Sequence, residues 1–176
     1  MYGFNAGSFD WDTLHEFQKN SFELMRGNTI KQYSFDKYDS NTDFSISDII
    51  LEGDVNWQLS MPGIDEIIDK SSPSDSPKLI AEGRLIGGCI DCIAKLIGTP
   101  YDGTRSFVKK YPRKIWFLDN FAITSFDLYL TMMQMKYCGY FKGTKAIVFG
   151  RTMFPDKSDE DYITQLRQAI PDIPFI

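Results

Sequence analysis

Glu82-Gly83-Arg84-Leu85-Ile86-Gly87-Gly88-Cys89-Ile90-Asp91-Cys92-Ile93-Ala94-Lys95-Leu96-Ile97-Gly98-Thr99-Pro100 decides the fold, because strand, turn, helix and stop follow one another in a single run. Leu79 to Arg84 reads as a strand, and Gly87-Gly88, lacking Cβ atoms, allow a sharp turn or a close approach to another group. Ile90, Ile93, Ala94 and Ile97 then recur at the i, i+3, i+4, i+7 spacing of one buried helix face. Gly98 and Pro100 supply the stop.

Downstream the alternation continues. Lys114 to Leu118 is a short apolar run of the kind that forms a buried strand, with Asp119-Asn120 at its C-terminal end. Thr124 and Asp127 signal a helix start, and Phe126, Leu130, Met133 and Tyr137 are the expected buried face of that helix. Met132, Met133 and Met135 read as core filler. Gly139 closes the helix, and Ala146 to Phe149 forms the next strand. A last helix is expected from a cap at Ser158 with Asp161 through Tyr162, Leu166 and Ile170 to Pro171, before a strand over Ile173 to Ile176. Strand and helix in alternation imply an α/β fold, a mixed sheet with flanking helices.

The upstream half is less regular and supplies a small β-rich part. Met1 to Ser8 is glycine-punctuated and reads as a linker, so residues 1–9 are expected to be an interdomain linker remnant and 10–176 the domain. Asp10 or Asp12 can cap a helix whose apolar side is Leu14, Phe17, Leu24 and Met25, closed by Gly27. Thr29 to Phe35, Ile49-Ile50-Leu51 and Val55 to Leu59 are strand candidates. Asp36 to Asp48 and Ser71 to Pro77 read as loops. Asp65, Glu66 and Asp69, interleaved with Ile64, Ile67 and Ile68, look like a solvated face rather than a cation site.

Composition narrows the class. With 176 residues, 43% of them hydrophobic, the chain can bury a full core. A formal net charge of −5 gives no basic field for a phosphate backbone, so nucleic acid is not an expected partner. No apolar run approaches the roughly eighteen residues a membrane-spanning helix needs, and no signal-peptide pattern opens the chain; a cytoplasmic protein with no membrane partner is expected. Cys89 and Cys92 form a CxxC at a helix start, yet the flanks typical of a thioredoxin-like pair are missing, and only Cys138 and His15 remain to complete a zinc site. Small buried thiols, no metal and no cofactor are the expectation. His15, the single histidine, has no nucleophile or orienting acid in a recognisable motif near it and reads as structural.

Taken with Leu118-Asp119, Gly139-Tyr140-Phe141 and Ala146-Ile147-Val148-Phe149-Gly150, the opening run resembles the C-terminal domain of the LD-carboxypeptidase family. These are serine peptidases that trim murein peptides, and the family includes the microcin C immunity peptidases. The likeness is most specific from Gly83 to Pro100, where the family has a G-x-hydrophobic-x-G-G-Asn-Leu…GT-Pro run and this chain has Cys89 in place of the Asn. It extends from about Tyr2 to Ile176 and corresponds to the second half of a family member. The resemblance implies a swivelling β/β/α-type domain, truncated before the segment that carries the family's histidine.

A serine peptidase needs a nucleophile on a strained turn, a histidine to take its proton and a carboxylate to orient that histidine. Only the carboxylate has a candidate here. By resemblance the serine belongs to the family's first domain, the histidine to a later Gly-His run, and the acid to a Leu-Glu-Asp run that Leu118-Asp119-Asn120 matches with Asp for Glu and Asn for Asp. Asp119 is therefore the expected catalytic acid, and Gly87 and Gly88 the expected substrate-binding residues. The partners expected are a small peptide substrate and the N-terminal domain of the same protein, with a homodimer left open. A non-catalytic binding module that kept the fold is the alternative.

Overall fold

The computed structural model describes residues 16–40, 51–69, 78–152 and 161–176. The chain forms two compact units, residues 2–55 and 56–176. In the first, α1 (Glu16–Met25) ends at Gly27, whose N–H donates to the Leu24 carbonyl. Asp10, Asp12, Leu14 and His15 lie outside the described residues. Leu24 and Met25, expected on the apolar side of this helix, are each 55% exposed. A short ribbon pairs β1 (Lys37–Asp39) with β2 (Leu51–Asp54) in antiparallel register. Thr29 to Phe35 is irregular, and the strand forms instead inside the stretch read as a loop. Pairing explains the shift: the Tyr38 ring occupies the space a side chain at Gly53 would need, and Lys37 meets Asp54 across the ladder. Ile49 and Ile50 fall outside the described residues.

The second unit holds the alternating part of the chain. A short antiparallel pair, β3 (Gln58–Leu59) and β4 (Ile68–Asp69), precedes β5 (Arg84–Cys89) and α2 (Ile90–Leu96). Residues 55–57 are irregular, and the side chains of Asp65 and Glu66 are exposed as expected. Then come α3 (Thr104–Lys110), β6 (Lys114–Asn120), α4 (Ser125–Tyr137), β7 (Thr144–Thr152) and α5 (Tyr162–Ala169). The strands β5, β6 and β7 form a parallel sheet with β6 at its centre. Phe175 bridges in parallel to Ile147 and antiparallel to Ser60, so the chain's last residues join the sheet through one bridging residue rather than a full strand. The architecture is the expected α/β one, a sheet flanked by helices with a small β-rich part.

Alternation along β6 buries Lys114, Trp116, Leu118 and Asn120 on one face. Trp116 stacks parallel to Tyr140, with ring centroids 6.5 Å apart, and meets Phe141 edge-on at 5.7 Å. Leu128, Met132 and Met135 of α4, Leu166 and Ala169 of α5, and Ile90, Ile147, Ile170 and Phe175 join this core. Each fully buried Leu or Met contributes roughly 1.5–3 kcal/mol by leaving water. No helix among the described residues is long and apolar enough to cross a membrane.

Several expectations are corrected here. The strand at the head of the deciding run starts at Arg84, not Leu79, and Gly87-Gly88 lie inside it rather than in a turn. Their φ angles of +154° and +140° belong to backbone that glycine adopts readily. A Cβ on Gly87 would sit 1.6 Å from the Phe117 carbonyl oxygen, so Gly87 is where β5 presses against β6. The buried face of α4 is Ser125, Leu128, Met132 and Met135, while Phe126, Leu130 and Tyr137 are exposed and Met133 is half-buried. The helix is apolar on both sides, so spacing alone fits either face. Helix α3 was not expected at all. Asp161 itself caps α5, accepting from the Thr164 N–H; Ser158 lies outside the described residues. The thiols are not uniformly buried: Cys92 is exposed, Cys89 and Cys138 half-buried.

Candidate active site

The site gathers at the C-terminal end of the parallel sheet, where side chains leaving the strands reach open space in α/β folds. Asp119 is the next-to-last residue of β6 and points to the face opposite Trp116 and Leu118. Gly87, Gly88 and Cys89 pair with Phe117, Leu118 and Asp119, which brings both expected glycines and the expected acid to one sheet end. On the other side Leu118 pairs with Phe149 and Asn120 with Thr152, so β7 carries an extra residue opposite Asp119. A bulge of this kind re-aims a side chain. Gly150 stands at the bulge, and a Cβ there would come within 3.3 Å of the Asp119 Cβ.

The turn after β6 is pinned from two sides. Asn120, 1% exposed, donates from Nδ2 to the Ile123 carbonyl (3.2 Å) and Thr152 Oγ1 (3.0 Å) and accepts from the Ile123 N–H (3.1 Å). Asp91, in the first turn of α2, accepts from the Phe121 and Ala122 N–H groups at 2.9 and 3.2 Å. Asp91 is the residue sequence reasoning missed. Its signal was a carboxylate inside the Gly-Gly-Cys-Ile-Asp-Cys run, but its partners lie thirty residues on.

Against this satisfied frame, Asp119 stands apart. Its Oδ1 is buried and has no hydrogen-bond partner among the described residues. Leaving a buried acceptor unpaired costs about 1–3 kcal/mol, and more for a charged group. The arrangement is suited to receiving a donor, as an acid that orients an imidazole does. Cys89 lies beside it across the ladder, with Sγ 3.6 Å from Asp91 Oδ2. Burial, more than the neighbouring Asp91 charge, pushes the Cys89 thiol up to about 11. Among the described residues no group of three or more His, Cys, Asp or Glu side chains is placed to hold a metal ion.

The sequence profile of the LD-carboxypeptidase C-terminal domain matches residues 82–175. Solved structures with a similar chain include a muramoyltetrapeptide carboxypeptidase from Oxalobacter formigenes, 23% identical, covering 58% of this chain and 35% of its own, with a TM-score of 0.46. The self-immunity protein MccF in complex with glutamyl sulfamoyl guanosine is 15% identical over 93% of this chain and 47% of its own, TM-score 0.56. An MccF-like protein from Streptococcus pneumoniae in complex with AMP is 17% identical over 91% of this chain and 48% of its own, TM-score 0.52. This chain thus spans less than half the length of each. At these identities the two MccF structures show a shared fold. No curated protein matches the sequence.

Proposed function

The chain belongs to the LD-carboxypeptidase C-terminal domain family, and on that premise we propose that it is the acid-bearing half of a serine-type hydrolase acting on an amide bond. Its substrate is a murein peptide or a peptidyl conjugate. The second class is in keeping with the glutamyl sulfamoyl nucleoside held by MccF. One observation carries the reading: a carboxylate oxygen, Asp119 Oδ1, buried and unpaired at the C-terminal end of the central strand.

In this reading serine and histidine come from parts of the protein outside these 176 residues. Asp119 Oδ1 accepts the Nδ1–H of that histidine, fixing the tautomer whose Nε2 takes the serine proton and stabilising the imidazolium that forms. The role needs a carboxylate within hydrogen-bond reach, and Asp serves as well as Glu on other triad folds. Asp91 and Asn120 keep the strand end fixed while a second domain approaches. Gly88, beside Leu118 at the mouth of the sheet, lets substrate come close to backbone, with Gly87 holding β5 in place. We place the protein in the cytoplasm, with its own N-terminal domain as partner.

The test is hydrolysis. A protein carrying both domains, incubated with a murein tetrapeptide, is expected to release D-alanine detectable by mass spectrometry. The 176-residue chain alone is expected to release none. A folded two-domain protein that binds the peptide without cutting it would favour the non-catalytic module instead.

A further inference from the structure

The buried-thiol reading of Cys89 and Cys92 does not survive the structure, and what replaces it is a paired arrangement. Cys89 is the N-cap of α2, with φ −66° and ψ 118°, and makes no capping hydrogen bond of its own. Cys92 is the third residue of the helix. N-cap geometry turns the side chain of the first toward the backbone N–H of the second. The Cys92 backbone and thiol are accordingly among the groups that act on the Cys89 thiol. One sulfur is half-buried and the other exposed. The helix start fixes both backbones three residues apart on one turn, so closing the pair requires no ordering of a long loop.

We propose that Cys89 and Cys92 are a redox-active dithiol that closes to a disulfide by exchange with a low-molecular-weight disulfide of the glutathione class. Exposed Cys92 is the point of entry. Its thiolate attacks one sulfur of the small disulfide, forming a mixed disulfide and releasing one small thiolate. The Cys89 sulfur, giving up its proton, then attacks Cys92 Sγ and expels the second small thiolate. The two cysteines lose two electrons and two protons, and the small disulfide becomes two thiols. Once formed, the protein disulfide reopens only when an external thiol reaches Cys92 and expels Cys89, a poor leaving group because burial raises its pKa to about 11. The pair's position gives it consequence: Cys89 is the ladder partner of Asp119, and Asp91, which holds the Phe121 and Ala122 amides, also contacts the Cys89 thiol. This inference stands on the thiols alone and does not depend on hydrolase activity.

Trypsin cutting after Arg84 and Lys95 leaves both cysteines on the peptide Leu85–Lys95, while Cys138 falls on Tyr137–Lys142 as an internal reference. The folded chain is equilibrated with reduced and oxidised glutathione, trapped with N-ethylmaleimide and digested. The expected product is a Leu85–Lys95 peptide two hydrogens lighter and without maleimide, restored by dithiothreitol, while Cys138 stays alkylated. Closure is expected to be favoured at least about tenfold more in the folded chain than in the urea-unfolded chain. In Cys89→Ser, Cys92 is expected to stop at the glutathione adduct. Alkylation of both thiols, a lasting adduct on Cys92 in the wild type, or a closing constant no larger in the folded chain than in urea would overturn the proposal.

Discussion

Asp119 and the glycine pair show what a single position decides. The strand-end position of Asp119 was legible because Lys114 to Leu118 is an apolar run and the first carboxylate after it had to emerge there, while its proposed role came from the resemblance. The glycines were legible as a place for unusual backbone but not as part of a strand, because close approach inside a ladder depends on a partner strand that local sequence does not reveal. Their environments now separate them. A Cβ at Gly87 collides with the Phe117 backbone, whereas one at Gly88 meets only Ile93 Cδ1, at 4.0 Å. Gly87→Ala is expected to cost more than about 4 kcal/mol, since no side chain can move to relieve a clash with backbone. Gly88→Ala is expected to cost only the strain of its φ of +140°, about 1–3 kcal/mol. Urea unfolding checks both, and equal losses would contradict the packing account. Gly88→Ala is accordingly the variant in which substrate binding can be read separately from folding.

Elements were legible where pattern and burial agree, as in β6, and illegible where they do not. Apolar residues on both sides of α4 led spacing to the wrong inward face, which only the sheet beneath it decides. Helix α3 escaped notice although Asp102 accepts from the Thr104 N–H at its start. The same Asp102 hydrogen-bonds the Tyr140 hydroxyl, tying the α2–α3 connection to the core ring that stacks on Trp116. Burial first, and the Asp102 carboxylate second, push the Tyr140 phenol from its ordinary value of 10 to about 12. The neutral phenol is the form favoured by folding. Its contribution is whole below pH 10 and is lost as pH rises toward 12, where the unfolded chain has given up the proton and the folded chain keeps it. Urea midpoints across that window are expected to fall more steeply in the wild type than in Tyr140→Phe. Parallel curves would show that the phenol is not held in this way.

At the scale of the molecule, the buried core among the described residues lies within residues 56–176, and Ser60 closes the sheet against Phe175. The family profile begins at residue 82, so it omits Leu59 and Ser60, both buried. A chain of residues 56–176 is expected to unfold cooperatively by circular dichroism, and one of residues 82–176 to be markedly less stable; equal stability would show that the Ser60 pairing adds nothing. What sequence and resemblance offered of the proposed triad was one carboxylate, beside the glycine pair expected to bind substrate, since in the proposed reading the groups that complete the triad come from other parts of the protein. Asp91 and Asn120, which fix the strand end, make contacts that only the folded sheet brings together. The claim that Asp119 orients a histidine supplied from elsewhere in the protein is tested most directly by kcat in the two-domain protein. Asp119→Asn is expected to keep the fold and lower kcat by about 10⁴, the loss typical of an orienting acid, with Asp119→Glu retaining activity. A kcat for Asp119→Asn within about threefold of wild type, far short of that loss, would contradict it.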